Sequence, residues 1–242
     1  GYNVSLIEAQ DQIMAPLDYD MVQIINRKKM KNGVDLILKD SVQAIGSDEV
    51  TLASGRTVKA QAVVMAIGVS PENALAKQAG LELGVAGSIK VNHHYQTSNP
   101  HIYAVGDAIE TTCFFTGQKT QLTLAGPAQR QARAAADHVY GRTYLNTGVI
   151  GSSSVKMFGL NSANTGLNEK QCQARGIAYD FAYIIPKDKV SIMPGAENLF
   201  FKLIFAVPSG KILGAQAVGR GNVDKRIDVI ATAIMLNANL ED

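Results

Sequence analysis

The segment NPHIYAVGDAIE, residues 99–110, decides the fold because an apolar run meets an acid with no turn between them. Ile102 to Val105 suits a buried strand, and Gly106 and Asp107 follow it directly. Open α/β sheets bind ligands at the carboxyl ends of their strands. A carboxylate there accepts strong hydrogen bonds from hydroxyls, and the glycine lets a ligand approach the backbone. The segment predicts a ligand at Asp107, although a Gly-Asp pair alone is often only a turn.

Composition limits the classes of protein and of partner. The 242 residues are 46% hydrophobic and 18% charged, which suits one large globular domain or two smaller ones. The net charge is only +2, and the acidic and basic residues are interspersed, so neither nucleic acid nor an anionic membrane is expected as a partner. No apolar run is long enough to span a bilayer, and no stretch reads as a secretory signal. Cys113 and Cys172 form no disulfide or zinc pattern, which favours a cytoplasmic protein.

The first third of the chain predicts a strand, a helix and a small antiparallel meander. Val4 to Ile7 is a short apolar strand that ends at Glu8. A helix follows, with one apolar face and a lysine cluster at its end that we expect to be solvated: Leu17, Met21, Ile24, Ile25; Lys28, Lys29, Lys31. Three strands are then predicted at residues 34–45, 49–53 and 57–68, with a hairpin turn at Ser54-Gly55.

The remainder predicts a strand at residues 88–91, an alanine-rich helix and an α+β segment. The helix lies within residues 122–141 and has Pro127 in its first turn. Its small residues allow close approach of a flat ligand or simple packing on a sheet. After a Gly and Ser cluster, we expect a mostly antiparallel sheet, a short helix from Asn168 to Arg175, and a closing helix with Asn222 as N-cap. Its strands are predicted at residues 154–160, 179–185, 199–207 and 211–219.

Glu8 repeats the geometry of Asp107 at the end of another strand. A dinucleotide-binding fold places there the acid that holds an adenosine ribose, with a Gly-rich phosphate loop about 20 residues earlier. The sequence begins too late to include that loop. A strand that ends in glutamate is, taken alone, commonly only a solvated strand end. The histidines do not predict a metal site, because adjacent His93 and His94 point to opposite faces of a strand, and His101 and His138 suit the surface.

Order and spacing together resemble one family. Residues 97–108, TSNPHIYAVGDA, with residues 124–141, LAGPAQRQARAAADHVYG, resemble the second flavin-binding segment of the pyridine nucleotide-disulfide oxidoreductases. AIGVSPEN, residues 66–73, resembles the stretch that returns the chain from their nicotinamide domain to the flavin domain. Residues 210–234 resemble the dimerisation domain of the branch with NADH oxidases, NADH peroxidases and coenzyme A disulfide reductases. The resemblance covers essentially the whole chain in register.

The resemblance implies an α/β fold with partial NAD-binding and FAD-binding Rossmann-like, three-layer domains and a C-terminal α+β dimerisation domain. The expected boundaries are 1–67 for the end of the NAD-binding domain, 68–147 for the second half of the FAD-binding domain, and 148–242 for a homodimerising segment. The family's Gly-rich motifs and redox cysteine lie upstream of the position of Gly1, and its C-terminal tail is also missing. We therefore expect a fragment of a longer reductase that alone binds FAD poorly and does not turn over NADH.

The implied activity is hydride transfer from NADH to FAD, with electrons passed through a cysteine absent from this chain to a small-molecule acceptor: a disulfide, peroxide or dioxygen. Gly106 and Asp107 would meet the ribityl or pyrophosphate-proximal part of FAD, and Gly68 the nicotinamide half of the reductant. Backbone N–H groups near Leu124 and Ala125 would face the N1 and C2 carbonyl edge of the flavin. Glu8 would hold the adenosine ribose, and the absence of Lys or Arg from residues 9–12 favours NADH.

Departures from the family leave alternatives open. Gln129 and Ala132 stand where relatives often have Asn and Gly, and Ile192 and Met193 precede the Pro194-Gly195 pair where coenzyme A reductases tend to carry Tyr. The electron acceptor therefore stays open. The segment could instead be a dimerising or nucleotide-binding module without redox chemistry. A relative that reduces an iron–sulfur protein is a third alternative, which residues 223–227 disfavour by resemblance.

Overall fold

The computed structural model describes residues 2–142 and 146–242, which form two compact units. One unit contains the chain up to Met65 together with Ser152–Asp242, and the other contains Ala66–Gly151. The helices and strands, numbered in chain order, are β1 Val4–Glu8, α1 Tyr19–Lys31, β2 Val34–Leu38, β3 Val42–Ile45, β4 Glu49–Leu52, β5 Thr57–Lys59, α2 Ala74–Gln78, β6 Thr111–Thr112, β7 Lys119–Thr120, α3 Ala125–Val139, β8 Ser153–Met157, β9 Leu160–Gly166, α4 Glu169–Ala174, β10 Tyr179–Ile184, β11 Phe200–Ala206, β12 Ile212–Gly219 and α5 Val223–Met235.

The first unit begins with the predicted strand, helix and strand. β1 and β2 pair in parallel, with Val4 opposite Val34 and Glu8 opposite Leu38. Parallel neighbours need a long crossover, and α1 supplies it. The apolar face of α1 contributes Met21, Val22 and Ile25 to one core cluster, which also contains Val218 of β12 and, from the segment before the helix, Ile13 and Leu17. This arrangement confirms the α/β prediction and sets Glu8 at the carboxyl end of a parallel strand.

The lysine cluster at the end of α1 differs from the prediction of a fully solvated face. Lys28 is half-buried and Lys31 is exposed, but Lys29 is only 5% exposed. Burial lowers the pKa of Lys29, because removal from water disfavours the charged form. The prediction was wrong for this residue because the charge pattern near a helix end does not reveal which lysine faces the packed side.

A three-stranded antiparallel meander, in the order β3-β4-β5, follows β2. The single strand predicted at residues 34–45 divides in two around Lys39, whose φ of +57° interrupts the extended chain. The β4–β5 turn lies at Ser54-Gly55 as predicted, and Gly55 adopts a φ of +86°. The strand predicted to continue to residue 68 ends at Lys59 instead, and Val64 and Ile67 are 90% and 84% exposed.

The C-terminal part of this unit is a five-stranded antiparallel sheet in the order β10-β11-β12-β9-β8. Every residue of the central β12 is buried, and α5 packs on β12 and β9. The mostly antiparallel prediction is confirmed, although β9 was not predicted. Asn222 occupies the N-cap position of α5, but its side chain donates to the Asp188 carbonyl oxygen rather than capping the helix.

The second unit contains α2, the β6–β7 hairpin and α3, around a small core of Tyr95, Ile109, Ala134 and Ala135. The strands predicted at residues 88–91 and 102–105 are present only as isolated bridges. Ile89 bridges to Leu83 and Ile109, and Tyr103 bridges to Gln96. A strand needs a continuous neighbour for its hydrogen bonds, and no described residue provides one along either segment.

The three expected segments map unevenly onto the two units. Most of residues 1–67 and of residues 148–242 share one compact unit, and most of residues 68–147 lie in the other. The assignment of the three segments to separate domains stays a prediction. No helix within residues 2–142 and 146–242 combines the length and the apolar character needed to cross a membrane.

Candidate functional site

The turn that carries Asp107 is a short 3-10 helix, Gly106–Ala108, that lies against α3. Gly106 has a φ of +81°, a conformation that glycine adopts without steric cost. The prediction of a buried strand before it was wrong, because Ile102 and Val105 are 37% and 36% exposed. The Asp107 side chain is exposed too, and no described residue hydrogen-bonds to its carboxylate. The carboxylate is therefore free to accept hydrogen bonds from a ligand.

Gln131 joins this turn to α3 and was missed by the sequence reasoning. Its side chain is 3% exposed, and its Oε1 accepts a hydrogen bond of 2.7 Å from the Gly106 N–H. Gln131 shares its buried helical face with Ala134 and Ala135, at the spacing i, i+3, i+4. That spacing is visible in the sequence and could have marked Gln131 as a polar residue inside an apolar contact.

The N-terminus of α3 is open to an acceptor. Leu124 occupies the N-cap position without a side-chain cap, and the first turn contains no acid. Among the described residues, no acceptor meets the N–H groups of Leu124, Ala125 and Gly126. Such unpaired donors, together with about half a positive charge from the helix dipole, favour an anionic or carbonyl ligand. Ala125 and Gly126 are both exposed, so a ligand can reach them.

Gly68 has a φ of +100°, and a Cβ atom built on it would meet nothing within 4 Å. The open space is that expected where a ligand approaches the backbone closely. Its assignment to the nicotinamide half of a reductant stays a prediction, as do the assignments of the other predicted site residues.

Glu8 offers a second acceptor site, in the first unit. Its Oε1 accepts the Gln10 N–H at 2.9 Å, while Oε2 has no hydrogen-bond partner among the described residues. Sequence reasoning found no cation in residues 9–12, but folding brings one from a distance. The Nζ of Lys170 in α4 lies 3.1 Å from the Asp11 Oδ1, and both side chains are more than half exposed. This exposed ion pair brings a cation to the loop that follows Glu8, which the sequence of residues 9–12 does not show.

A buried ionic cluster lies beside the same βαβ segment, and sequence reasoning missed it as well. Lys202 of β11 is 1% exposed, and its Nζ lies 3.0 Å from the Asp20 Oδ2 and 3.3 Å from the Asp18 Oδ2. The same Nζ donates to Glu169 in the first turn of α4, and it lies 4.3 Å from the centre of the Phe181 ring. The available signal was a lysine in the middle of the apolar run LFFKLIFAV, residues 199–207.

The charges of this cluster partly balance. Burial would lower the pKa of Lys202, but hydrogen bonds to Glu169 and Asp20 and the charge of Asp18 outweigh burial and raise it. Burial raises the pKa of Asp18 against the opposing effects of Lys202 and Gln216. Oxygen atoms of the three acids lie within 4.8 Å of one another, a spacing that could hold a metal ion. Here the Lys202 ammonium supplies the positive charge.

The sequence predicted that His93 and His94 cannot bind one metal ion together and that His101 and His138 lie at the surface. His138 is half-buried, and its Nδ1 lies 2.7 Å from the Tyr103 hydroxyl oxygen. His138 also stacks on His94, with ring centres 4.2 Å apart. The surface prediction was therefore incomplete for His138, whereas His101 is exposed. Stacked rings present their faces rather than their nitrogens to each other, so this pair is a packing contact.

A parallel strand-helix-strand that ends in an acid is typical of dinucleotide-binding proteins. Here it occurs together with a Gly-Asp turn against an uncapped helix and with an antiparallel sheet. Residues 1–132 match the family described as pyridine nucleotide-disulphide oxidoreductase, and residues 152–242 match its dimerisation domain. The chain belongs to the pyridine nucleotide-disulphide oxidoreductase family.

Individual relatives agree with this assignment. The chain is 30% identical over 243 residues to a coenzyme A disulfide reductase of Staphylococcus epidermidis, covering 100% of this chain and 55% of the relative. It is 32% identical over 246 residues to an NADH oxidase of Methanocaldococcus jannaschii, covering 100% of this chain and 54% of the relative. The crystal structure of reduced Bacillus anthracis CoADR-RHD superimposes with a TM-score of 0.96 at 45% identity, covering 99% of this chain and 43% of that one. The chain thus spans about half the length of the curated relatives it matches.

The residues present fit the dinucleotides that the family implies. In the second unit, a carboxylate without a hydrogen-bond partner among the described residues and an uncapped helix N-terminus occur at the positions expected to meet FAD. In the first unit, Glu8 keeps one carboxylate oxygen unpaired at the end of a parallel strand. Hydroxyl groups of a ligand suit the carboxylates of Asp107 and Glu8, and the electron-rich edge of a flavin suits the N-terminus of α3.

Proposed function

We propose that this chain forms part of an FAD-dependent oxidoreductase that takes a hydride from NADH and passes electrons to a disulfide, peroxide or dioxygen. The observation that carries the proposal is the exposed Asp107 carboxylate on a glycine turn packed against the uncapped start of α3. Membership of the family supports it independently. The activity belongs to the complete gene product, of which this chain supplies the residues discussed here.

Asp107 and the start of α3 have complementary roles in the proposed site. The Asp107 carboxylate accepts hydrogen bonds from the ribityl hydroxyls or from groups near the pyrophosphate. The N–H groups of Leu124 and Ala125 donate to the N1 and C2 carbonyl edge, where the helix dipole stabilises negative charge. When bound, FAD supplies the hydride-accepting and electron-donating chemistry that the side chains lack.

Glu8 and Gly68 serve the reductant. Glu8 accepts hydrogen bonds from the ribose hydroxyls of the adenosine half, and Gly68 leaves room for the nicotinamide half near the backbone. A 2′-phosphate would meet the negative charge of Glu8, and the Lys170 ammonium that could offset it is paired with Asp11. NADH is therefore the favoured reductant.

The acceptor is a small molecule, and the protein is a cytoplasmic homodimer in this proposal. The relatives carry the names coenzyme A disulfide reductase and NADH oxidase, which together cover a disulfide and an oxidase reaction. The match of residues 152–242 to a dimerisation domain supports the homodimer. Cys113 and Cys172 are both free thiols, which suits a reducing compartment.

The test uses the complete gene product that contains this chain. We expect the purified protein to carry FAD and NADH to bleach its visible absorbance under anaerobic conditions, with NADPH much less effective. Coenzyme A disulfide, hydrogen peroxide and dioxygen are then compared as acceptors that restore the absorbance. A protein that neither retains nor rebinds FAD would refute the proposal, as would FAD that NADH cannot reduce.

Glu8→Ala should raise the KM for NADH by about tenfold with little change in kcat, because ribose binding contributes equally to the ground state and the transition state. Steady-state kinetics at varied NADH concentration measure both constants. Glu49→Gln at the exposed start of β4 is the matched control in the same unit. A fall in kcat at unchanged KM would move Glu8 out of the ribose site.

A further inference from the structure

We propose that Gln131 is a positioning residue that fixes the Gly106–Ala108 turn and thereby aims the Asp107 carboxylate, an inference that rests on the proposed flavin site. The tie is the 2.7 Å hydrogen bond from the Gly106 N–H to the Gln131 Oε1. Within residues 2–142 and 146–242, it is the hydrogen bond that joins this turn to α3. Gln131 therefore connects the two groups assigned to FAD, the carboxylate of the turn and the N-terminus of the helix.

The turn depends on the hydrogen bond to Gln131 because its own backbone is conformationally flexible at Gly106. Gly106 has a φ of +81°, and glycine loses more conformational freedom on ordering than any other residue. Inside the turn, the Ile109 N–H bonds to the Gly106 carbonyl oxygen at a long 3.3 Å. A Cβ on Gly106 would lie 3.8 Å from the Ala128 Cβ, which is ordinary contact and leaves room for movement. At its other end the turn is held by the 2.8 Å hydrogen bond from the Ile89 N–H to the Ala108 carbonyl oxygen, so the bond to Gln131 is the one that fixes the Gly106 end.

Gln131 is itself well fixed. It is 3% exposed in the middle of α3, on the same buried face as Ala134 and Ala135 one turn further along the helix. An amide in that position gives up a buried hydrogen bond if it swings away, so its Oε1 stays directed at the turn. Since the Gly106 N–H is already paired, this donor is not offered to FAD. The turn contributes an acceptor, Asp107, and the helix contributes the donors.

The chemistry of the amide suggests a discriminating pair of substitutions. Gln131→Met keeps the approximate length of the side chain and removes the acceptor. Gln131→Glu keeps an oxygen acceptor for the Gly106 N–H and loses the amide NH2, which has no partner among the described residues. If positioning through Oε1 is the role of Gln131, glutamate retains it and methionine does not. If Gln131 acted only by filling space, both variants would bind FAD alike.

The experiment measures FAD binding to the apoprotein of the complete gene product by quenching of flavin fluorescence, together with the visible circular dichroism of bound FAD. Gln131→Met should raise the Kd by about tenfold and change the dichroism. Gln131→Glu should stay within about threefold of wild type with the wild-type dichroism when both are measured at mildly acid pH, where burial favours the neutral carboxyl and its carbonyl oxygen still accepts. Gln78→Met, at the exposed end of α2, should leave both readouts unchanged.

Wild-type affinity in Gln131→Met would overturn the inference, and so would equal losses in the methionine and glutamate variants. Thermal unfolding of each apoprotein establishes that it is folded. If Gln131→Met does not fold, Gln131→Asn replaces it, because the shorter side chain withdraws the acceptor and remains polar. A wild-type protein that fails to bind FAD would refute the proposed function itself, whereas equal FAD binding by wild type and all variants would refute only the role of Gln131.

Discussion

Replacing Lys202 with methionine is expected to lower the free energy of unfolding by about 3–5 kcal/mol, because it leaves the buried Asp18 carboxylate without its counter-charge. Lys202 is 1% exposed and meets Asp18, Asp20 and Glu169. Asp18 is 3% exposed, so water cannot replace the lost ammonium there. The cation contact with the Phe181 ring is lost as well. Chemical denaturation of the complete gene product, followed by circular dichroism, measures the change.

A matched control lies in the same unit. The exposed Lys187 donates to the Asn198 Oδ1 at 2.9 Å, and Lys187→Met should change the free energy of unfolding by less than about 0.5 kcal/mol. Asp18→Asn added to Lys202→Met should recover part of the loss, since it removes a buried charge and can keep the bond from Gln216. A loss below about 1 kcal/mol in Lys202→Met would show that the cluster does not depend on its ammonium.

The stability that the Lys202 ammonium contributes should not change with pH near neutrality. The folded-state pKa of Lys202 is raised above its ordinary value of 10.5. A raised pKa of a base means that its contribution to stability is fully present below the unfolded-state value and is lost as the pH rises through the folded-state value. The difference between wild type and Lys202→Met should therefore persist at neutral pH and shrink in strongly alkaline solution, where Lys202 loses its charge. It should also shrink in acid, because burial raises the pKa of Asp18 and its protonation removes the charge that the ammonium balances.

Asp107→Ala is expected to raise the Kd for FAD by about 10- to 150-fold, the effect of losing hydrogen bonds to a charged acceptor. The carboxylate is exposed rather than buried, and no described residue competes for it. Its full hydrogen-bonding capacity is therefore available to the ligand. Flavin content after purification and titration of the apoprotein measure the loss, and Asp107→Asn separates the charge from the shape of the side chain.

Glu82→Ala is the control for this substitution, since Glu82 lies in the same unit and makes an exposed ion pair with Lys90 at 3.4 Å. It should leave the flavin affinity within about twofold of wild type, as expected for an exposed pair. Flavin retention in Asp107→Ala equal to that of the control would contradict the role proposed for Asp107.

Helices and strands with a clear apolar pattern within their own sequence were predictable. The helix α1 has an apolar face and marked ends and lies where predicted. Leu17, Met21 and Ile25 are buried as expected, whereas Ile24 is only partly buried and the buried Val22 was not predicted. β12 and α5 carry long apolar patterns and formed where expected. Asp107 and Glu8 follow apolar runs, so both could be proposed as ligand-binding acids from the sequence, whereas the particular ligands assigned to them came from the family resemblance.

The strand predictions that were wrong depended on which other segments lie beside each strand in the fold. β9, with the sequence LNSANTG, was missed because its buried polar side chains are paired by adjacent strands. Asn164 accepts from the Ser153 hydroxyl, and the Thr165 and Ser152 hydroxyl oxygens lie 2.7 Å apart. Conversely, residues 61–67 have a strand-like sequence, but no described residue pairs with them along their length.

The two groups that sequence reasoning overlooked, Lys202 and Gln131, share one cause. Each is a single polar residue in an apolar pattern, and its partner lies far along the chain. Lys202 meets Asp20 across 182 residues, and Gln131 meets Gly106 across 25. A sequence pattern shows that such a residue is buried or out of place, but only the fold supplies the group that pairs with it.

The division into two units also determines how parts of this protein can be exchanged with those of a relative. Residues 66–151 form an internal insert, and the chain on both sides of it folds together, with β1, α1 and β12 sharing one core. A hybrid that swaps Ala66–Gly151 as one block breaks the chain only at two junctions. A hybrid with a single crossover near residue 150 would instead bring α1 and β12 from different parents, and would separate Asp18 and Lys202 from the partners with which each evolved.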